Sequence, residues 1–459
     1  MTSAKYEKGR VSVLAWSTIG FTLMFAVWLM FGVLGIPIRD EFGLSDVQLS
    51  WITAVAVLNG SIWRLPAGIL ADRYGGKHVF VAMLLLTAIP AYLVAQATSY
   101  QALLLYAFLV GFAGNSFSVG IAWVSAWWPQ SRQGMALGVF GAGNVGASGT
   151  KFIGPVLITA VPAAGLLGGF IPGGWRFVPF LYMGLLIAMA AATWLFTPHR
   201  EIKPGSGRSL GSMLRPLKQV RVWRFSLYYV VVFGAYVALA AWLPKYYVDV
   251  YGLPLQSAAL LTALFIFPAS LLRPFGGIAS DRLGARKVMY ATFITMLIAS
   301  GILMMPYGYI VLSRSDGTTT EVLPWSVNVV WFTILVFLIG CAMGIGKAAV
   351  YKHIPEYFPN DVGAVGGLVG SLGALGGFFL PPLFAYASGW TGMPQATFFV
   401  LFIVTLVAAV WMHVTVVTML HKASPDLKNK FEHDHDGTVE DEAPFIESSD
   451  ITTKAGVQP

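Results

Sequence analysis

Four cations, Arg64, Lys151, Arg273 and Lys347, fall inside long apolar stretches in which no Asp or Glu sits at comparable depth. A guanidinium offers planar, paired N–H donors and an ammonium a compact charge, so residues of these types facing one cavity would hold an anion. A charge deep in a bilayer costs several kcal/mol, roughly 3 on insertion scales, which makes unpaired intramembrane cations functional candidates whose partner comes from outside. That reading requires the stretches to span a bilayer and the cations to share a depth.

The composition meets the first requirement. Of 459 residues 56% are hydrophobic and 11% charged, with a mean hydropathy of +0.70. Apolar stretches long enough to cross a core of roughly 30 Å lie near 11–38, 46–70, 78–97, 101–128, 134–161, 176–197, 225–248, 256–280, 288–310, 326–355, 362–388 and 395–420. The sequence therefore predicts an all-α integral membrane protein of about twelve transmembrane helices. The first run is too long for a signal-peptide core and is expected to remain as a helix. Most of the 29 Lys and Arg gather in the N-terminus, alternate loops and the C-terminal segment, which places both termini on the cytoplasmic side of the cytoplasmic (inner) membrane. The net charge of +8 then reports topology and does not call for nucleic acid. With Cys341 alone, no internal disulfide is possible.

Four segments are expected: a first six-helix half over 1–197, a basic connecting segment over 198–224 that could hold a surface helix, a second half over 225–420, and an acidic, disordered cytoplasmic tail over 421–459. His433 and His435 in that tail could bind a metal, but a solvated tail is the simpler reading; no metal or cofactor is expected. An internal repeat defines the halves. Ser61-Ile-Trp-Arg-Leu-Pro-Ala-Gly-Ile-Leu-Ala-Asp-Arg-Tyr-Gly returns as Ser270-Leu-Leu-Arg-Pro-Phe-Gly-Gly-Ile-Ala-Ser-Asp-Arg-Leu-Gly, and one offset separates Arg64 from Arg273, Gly68 from Gly277, Asp72 from Asp281 and Gly75 from Gly284. Parallel six-span halves joined by a cytoplasmic loop are the architecture of major facilitator transporters, whose substrate sites lie at the midplane between halves. The repeated turns, Gly68, Asp72, Arg73, Gly75 and Gly277, Asp281, Arg282, Gly284, resemble the cytoplasmic signature of that superfamily. Their glycines suit a tight turn, and their Asp and following basic residues can pair and cap helix ends. They are expected to hold and gate the helices.

Arg64 stands eight residues before Asp72 and Arg273 eight before Asp281, so each lies about 12 Å into the membrane. Across a pseudo-two-fold axis they would form a symmetric pair of guanidinium forks for a small planar oxyanion; either could instead bind a backbone carbonyl. The glycine-rich runs from Gly134 and from Gly363 let helix backbones approach closely. Asn144 within the first of them is a polar amide at midplane, which must bond another helix or a ligand.

Gly111-Phe-Ala-Gly-Asn-Ser-Phe-Ser, Gly143-Asn-Val-Gly-Ala and the paired Arg64 and Arg273 resemble the nitrate/nitrite porters of the major facilitator superfamily, and the resemblance spans nearly all of 11–420. It implies that the two arginines clamp nitrate and that aromatic side chains at Phe25, Phe117, Tyr229 and Phe233 sandwich it. Lys151 and Lys347 resemble the branch regarded as nitrate/proton symporters, although each lysine could equally be a packing residue satisfied by carbonyls.

The expected function is secondary active transport of nitrate, and of nitrite, by rocking alternating access. Two facing guanidiniums repel by about 2 kcal/mol at roughly 8 Å and an effective dielectric near 20, so the cavity should close readily only around an anion. A buried lysine that sheds its proton would permit empty return and couple uptake to protons; Lys347 is the first candidate and Lys151 the second. The alternatives are nitrate/nitrite antiport and an oxalate/formate-type carboxylate exchanger. The seven histidines are scattered and no intramembrane carboxylate pair exists, which argues against an enzyme; a receptor would lack a signalling domain, and a proton-coupled sugar carrier would need intramembrane carboxylates. A fold of this type needs no second copy to complete its site, so a monomer is expected.

Overall fold

The structure, a computed structural model, describes residues 3–199, 202, 211, 214–313, 318–358 and 362–423. The first half comprises α1 (Ser3–Trp28), α2 (Phe31–Phe42), α3 (Asp46–Ile62), α4 (Arg64–Tyr74), α5 (Gly76–Ala95), α6 (Tyr100–Val110), α7 (Ser116–Trp127), α8 (Gln130–Ala142), α9 (Gly146–Ala160) and α10 (Phe177–Phe196). The second comprises α11 (Val220–Tyr229), α12 (Ala235–Tyr251), α13 (Leu255–Leu271), α14 (Arg273–Leu283), α15 (Ala285–Leu303), a hairpin of β1 (Gly308–Ser313) and β2 (Thr319–Trp325), α16 (Val329–Tyr357), α17 (Val362–Ala374), α18 (Gly376–Thr391) and α19 (Ala396–Ala423). Met1–Trp411 form one compact unit. The second unit, Met412–Pro459, is described only as far as Ala423, and the expected tail with His433 and His435 lies outside the described residues beyond that point.

Among the described residues nine helical runs are long and apolar enough to cross a membrane, and eleven if each bent pair counts as one span. The expected span over 134–161 is present but divided: α8 and α9, of 13 and 15 residues, are joined by a 3-10 turn at Gly143–Val145. The ninth expected span is shorter than the apolar run suggests, because α15 ends at Leu303 and the chain turns into the antiparallel β1–β2 hairpin. The seventh begins earlier, at Val220, so Arg224 belongs to a helix and not to the connecting segment, most of which is not described.

The bent spans lie at matching places in the repeat. α3 and α4 meet at Trp63 with a bend of 41°, α13 and α14 at Leu272 with a bend of 44°. Pro66 and Pro274 explain both: a proline has no N–H for the carbonyl four residues back and its ring presses on that turn. Arg64 and Arg273 are each the first residue after the break. At the far end of each broken helix, Gly75 and Gly284 take φ of 98° and 87°, a backbone region that favours glycine. The other two motif glycines, Gly68 and Gly277, sit inside α4 and α14, so the tight turn rests on Gly75 and Gly284 alone.

The halves meet along α3 against α18 and α9 against α13, with α2 against α12. Small residues allow such approach within a half too: a Cβ on Gly146 would stand 1.9 Å from the Thr22 carbonyl oxygen of α1, whereas one on Gly149 would meet nothing within 4 Å. Gly146→Val is expected to destabilise the detergent-solubilised protein by about 3 kcal/mol or more, and Gly149→Val to leave its thermal unfolding within about 0.5 kcal/mol of the parent. Equal melting curves for the two variants would refute the close packing of α1 on α9.

Candidate functional site

Among the described residues, every buried Lys, Arg, Asp or Glu is a cation: Arg64, Lys77, Lys151, Arg224, Lys245 and Lys347. Arg64 is 1% exposed, Lys151 and Lys347 0%, and Arg273 is half-buried. Within the described residues none of these four sits in an ion pair.

The breaks at Trp63 and Leu272 aim the two arginines at each other's half. Arg64 donates from Nε to the Gly60 carbonyl at 2.8 Å and from Nη1 to the Gly370 carbonyl of α17 at 3.3 Å, while Nη2 is buried without a partner among the described residues. Arg273 has no hydrogen-bond partner among the described residues; its Nη1 is buried and bare, and a Cβ on Gly141 of α8 would lie 3.4 Å from that atom. The expectation of two equivalent forks therefore needs correction. The carbonyls of Gly60 and Gly370 consume most of the Arg64 fork and leave it one free nitrogen, whereas the whole Arg273 fork is unbonded among the described residues, with Nη1 its buried member.

Phe117 lies between them, with each guanidinium carbon 5.6 Å from its ring centroid. The opposite wall comes from the second half. Phe233 faces Arg64 at 5.2 Å, Tyr229 stacks on Phe233 at 5.0 Å, Tyr351 meets Tyr229 edge-on at 5.1 Å, and the Tyr351 ring lies 5.4 Å from Arg273. A π-helical turn at Val230–Gly234 carries Phe233 into this wall, in keeping with the habit of such bulges to occur at functional positions. Two cations and four rings thus close one cage. Phe25 stands one ring back, edge-on to Phe21 and Trp28, and Trp28 instead approaches Arg64 at 5.5 Å. Tyr351 is the residue that the sequence reading missed; its signal was its place one helical turn after Lys347, on the same face.

Asn144 is 1% exposed, and neither polar atom of its amide has a partner among the described residues; its backbone carbonyl accepts from the Tyr236 hydroxyl at 3.3 Å. Lys347 reaches the same tyrosine, with Nζ 3.3 Å from the Tyr236 centroid and 5.5 Å from Phe233, and it donates to the Ala269 carbonyl at 2.9 Å. Phe233 is therefore a ring that Lys347 and Arg64 share. Lys151 is placed differently: it donates at 3.2 Å to the Leu29 carbonyl, where α1 gives way to α2, and no contact joins it to the cage within the described residues.

A cavity of about 710 Å³ runs from Arg64, Phe117 and Tyr351 to Asp72, Ser125 and Ile202, towards the end of the broken span that carries the Gly75 turn. The opposite end is closed by charges. Arg39 of α2 pairs with Asp249 of α12 at 3.1 Å, and Lys245 of α12 pairs with Asp46 of α3 at 2.9 Å and with Asp249 at 2.6 Å. At the cavity end, Asp281 pairs with Lys352 of α16 at 2.5 Å. Arg282 is exposed, and among the described residues the partner of Asp281 comes from α16 and not from the turn itself. Arg73 is likewise exposed.

The model of the Major Facilitator Superfamily matches residues 16–311 and 255–452. The chain is 70% identical over 428 residues to the probable nitrate/nitrite antiporter NarK1 of Thermus thermophilus, covering 93% of this chain and 96% of that one. It is 30% identical over 416 residues to the probable nitrate transporter NarT of Staphylococcus epidermidis, covering 90% and 97%, and 30% identical over 393 residues to the nitrite extrusion protein of Bacillus subtilis, covering 85% and 91%. Among solved structures, a bacterial homolog of the human lysosomal transporter Spinster, inward-facing and unoccupied, superposes with a TM-score of 0.71 at 15% identity, over 90% of this chain and 98% of that one. That last likeness concerns the fold alone.

Proposed function

Because the chain belongs to the major facilitator superfamily and, within it, to the nitrate/nitrite porters, we propose that it carries nitrate, and nitrite with it, across the cytoplasmic membrane by alternating access. It is a transporter and not an enzyme. The observation that carries the site assignment is the convergence of Arg64 and Arg273, from opposite halves, on one Phe117 ring with one bare buried nitrogen each. A small oxyanion between those nitrogens satisfies both donors and screens the repulsion of the guanidiniums. The aromatic faces of Phe117 and Phe233 exclude water, Tyr229 backs Phe233 by stacking on it, and Asn144 offers a buried amide with no partner among the described residues. Phe25 supports it from behind.

With the Gly75 and Gly284 turns on the cytoplasmic side and both termini inside, the cavity faces the cytoplasm and the Arg39–Asp249 and Lys245–Asp46 pairs seal the outside. Rocking must break these cross-half pairs. Asp249→Asn removes one partner from each cation, so it is expected to favour the outward-open state by roughly 3- to 10-fold, the worth of one or two partly exposed pairs. In a Cys341→Ala background, a cysteine at Ser50, which is 1% exposed in a narrow gap beneath the pairs, would then react correspondingly faster with a membrane-impermeant maleimide. An unchanged labelling rate would mean that these pairs do not hold the closed face.

Coupling is to protons, with Lys347 as the coupling residue, since its ammonium shares the Phe233 ring with Arg64 and faces no carboxylate among the described residues. Loss of its proton lowers the positive charge that opposes closure of the empty carrier. Lys151, apart from the cage, is the weaker candidate. Nitrate/nitrite exchange is the second reading, favoured by the name of the Thermus thermophilus relative. Purified protein in liposomes without internal anion substrate, given an inward proton gradient, separates the two: concentrative nitrate uptake supports symport, while uptake only after internal loading with nitrite supports exchange. Competition by oxalate and not by nitrite would overturn the substrate assignment.

A further inference from the structure

Nitrate has three oxygens, and among the described residues each arginine turns one buried, unbonded nitrogen to the cage. Resting on the reading of the cage as a nitrate site, we propose that the Tyr351 hydroxyl is the donor for the third oxygen and that it is what distinguishes nitrate from nitrite, which has two oxygens.

Tyr351 bridges the two arginines. Its ring lies against Arg273, and its hydroxyl lies against α17, where a Cβ on Gly370 would stand 2.7 Å from it. Gly370 is also the residue whose carbonyl accepts from Arg64, so the hydroxyl and the Arg64 guanidinium share one stretch of backbone. The absence of a side chain at Gly370 is what admits the phenol there. The hydroxyl donates to the Gly366 carbonyl at 3.2 Å, a long bond between neutral groups. Rotation about the C–O bond re-aims that proton at a charged acceptor, which forms the stronger bond. Tyr351 lines the cavity together with Arg64 and Phe117, whereas Tyr229 is 0% exposed, boxed by Phe233 and Gly373 and absent from the cavity wall. A pocket built to bond a particular oxygen rejects an analogue that lacks it more strongly than an apolar pocket rejects an extra atom.

The test is titration of nitrate and nitrite into the purified full chain by calorimetry, for the parent, Tyr351→Phe and Tyr229→Phe. Tyr351→Phe keeps the ring against Arg273 and removes only the hydroxyl. Nitrate affinity is expected to fall by about 10-fold or more while nitrite affinity stays within about 2-fold, and Tyr229→Phe to leave the nitrate-to-nitrite ratio as in the parent. Parent-like nitrate affinity in Tyr351→Phe, an equal loss for both anions, or a shifted ratio only in Tyr229→Phe would each overturn the proposal. A parent that binds neither anion would instead remove the reading of the site on which the proposal stands.

Discussion

Arg64→Lys lowers nitrate affinity by about one to two orders of magnitude. Three of the Arg64 nitrogens have distinct tasks: Nε fixes the guanidinium to Gly60, Nη1 ties it to Gly370 in the other half, and Nη2 remains for the anion. An ammonium has one nitrogen and no planar face for Phe233 and Phe117. It must divide its donors between carbonyl and anion, and a charge-assisted bond of about 1.5–3 kcal/mol is lost or weakened. Arg273→Lys is expected to cost a similar amount, and the double variant less than the sum, because both residues hold one ligand. Calorimetric titration of nitrate into the solubilised variant checks this, with gel filtration to establish that it is folded. A folded Arg64→Lys protein with undiminished affinity would rule out the two-arginine clamp.

Lys347→Gln abolishes concentrative uptake and leaves nitrate exchange in place. If one proton accompanies each anion, an inward gradient of about two pH units supports about 100-fold accumulation in parent liposomes, since each unit is worth about 1.36 kcal/mol. Glutamine is one atom shorter than lysine but keeps an N–H donor on the side facing the Ala269 carbonyl and carries no titratable proton, so a folded protein without coupling is expected. Counterflow, which needs only the loaded carrier, should persist within a few-fold. Accumulation by Lys347→Gln equal to the parent would acquit this lysine. Lys151→Gln, which disturbs the α1–α2 break and not the cage, should then be the next variant examined in the same assay.

The paired arginines were legible because duplication printed them twice in one register, and a charge in an apolar run stands out by type alone. The breaks that place them were equally visible in Pro66 and Pro274, yet periodicity reads straight through a proline and counts one span. Tyr351 was harder to see: a single aromatic in an aromatic-rich helix gains meaning only when α16 is packed against α11 and α17. The Arg39–Asp249 and Lys245–Asp46 pairs join residues far apart in the chain, and no local pattern announces such a partner. The unequal state of the two arginines was hidden altogether, because the repeat made them look alike and only the positions of the Gly60 and Gly370 carbonyls set them apart.

An interior in which every buried Lys, Arg, Asp or Glu among the described residues is a cation has an electrical consequence. Whatever part of the transmembrane field these charges traverse as the halves rock, an empty carrier that keeps its lysine proton moves one more positive charge than the carrier loaded with an anion, whereas one that has shed the proton moves the same charge as the loaded carrier. A charge that crosses the full field at 100 mV changes the energy by about 2.3 kcal/mol. A membrane potential negative inside therefore holds the still-protonated empty cavity towards the cytoplasm and leaves return to the carrier whose proton has left, so the potential favours coupled over uncoupled return.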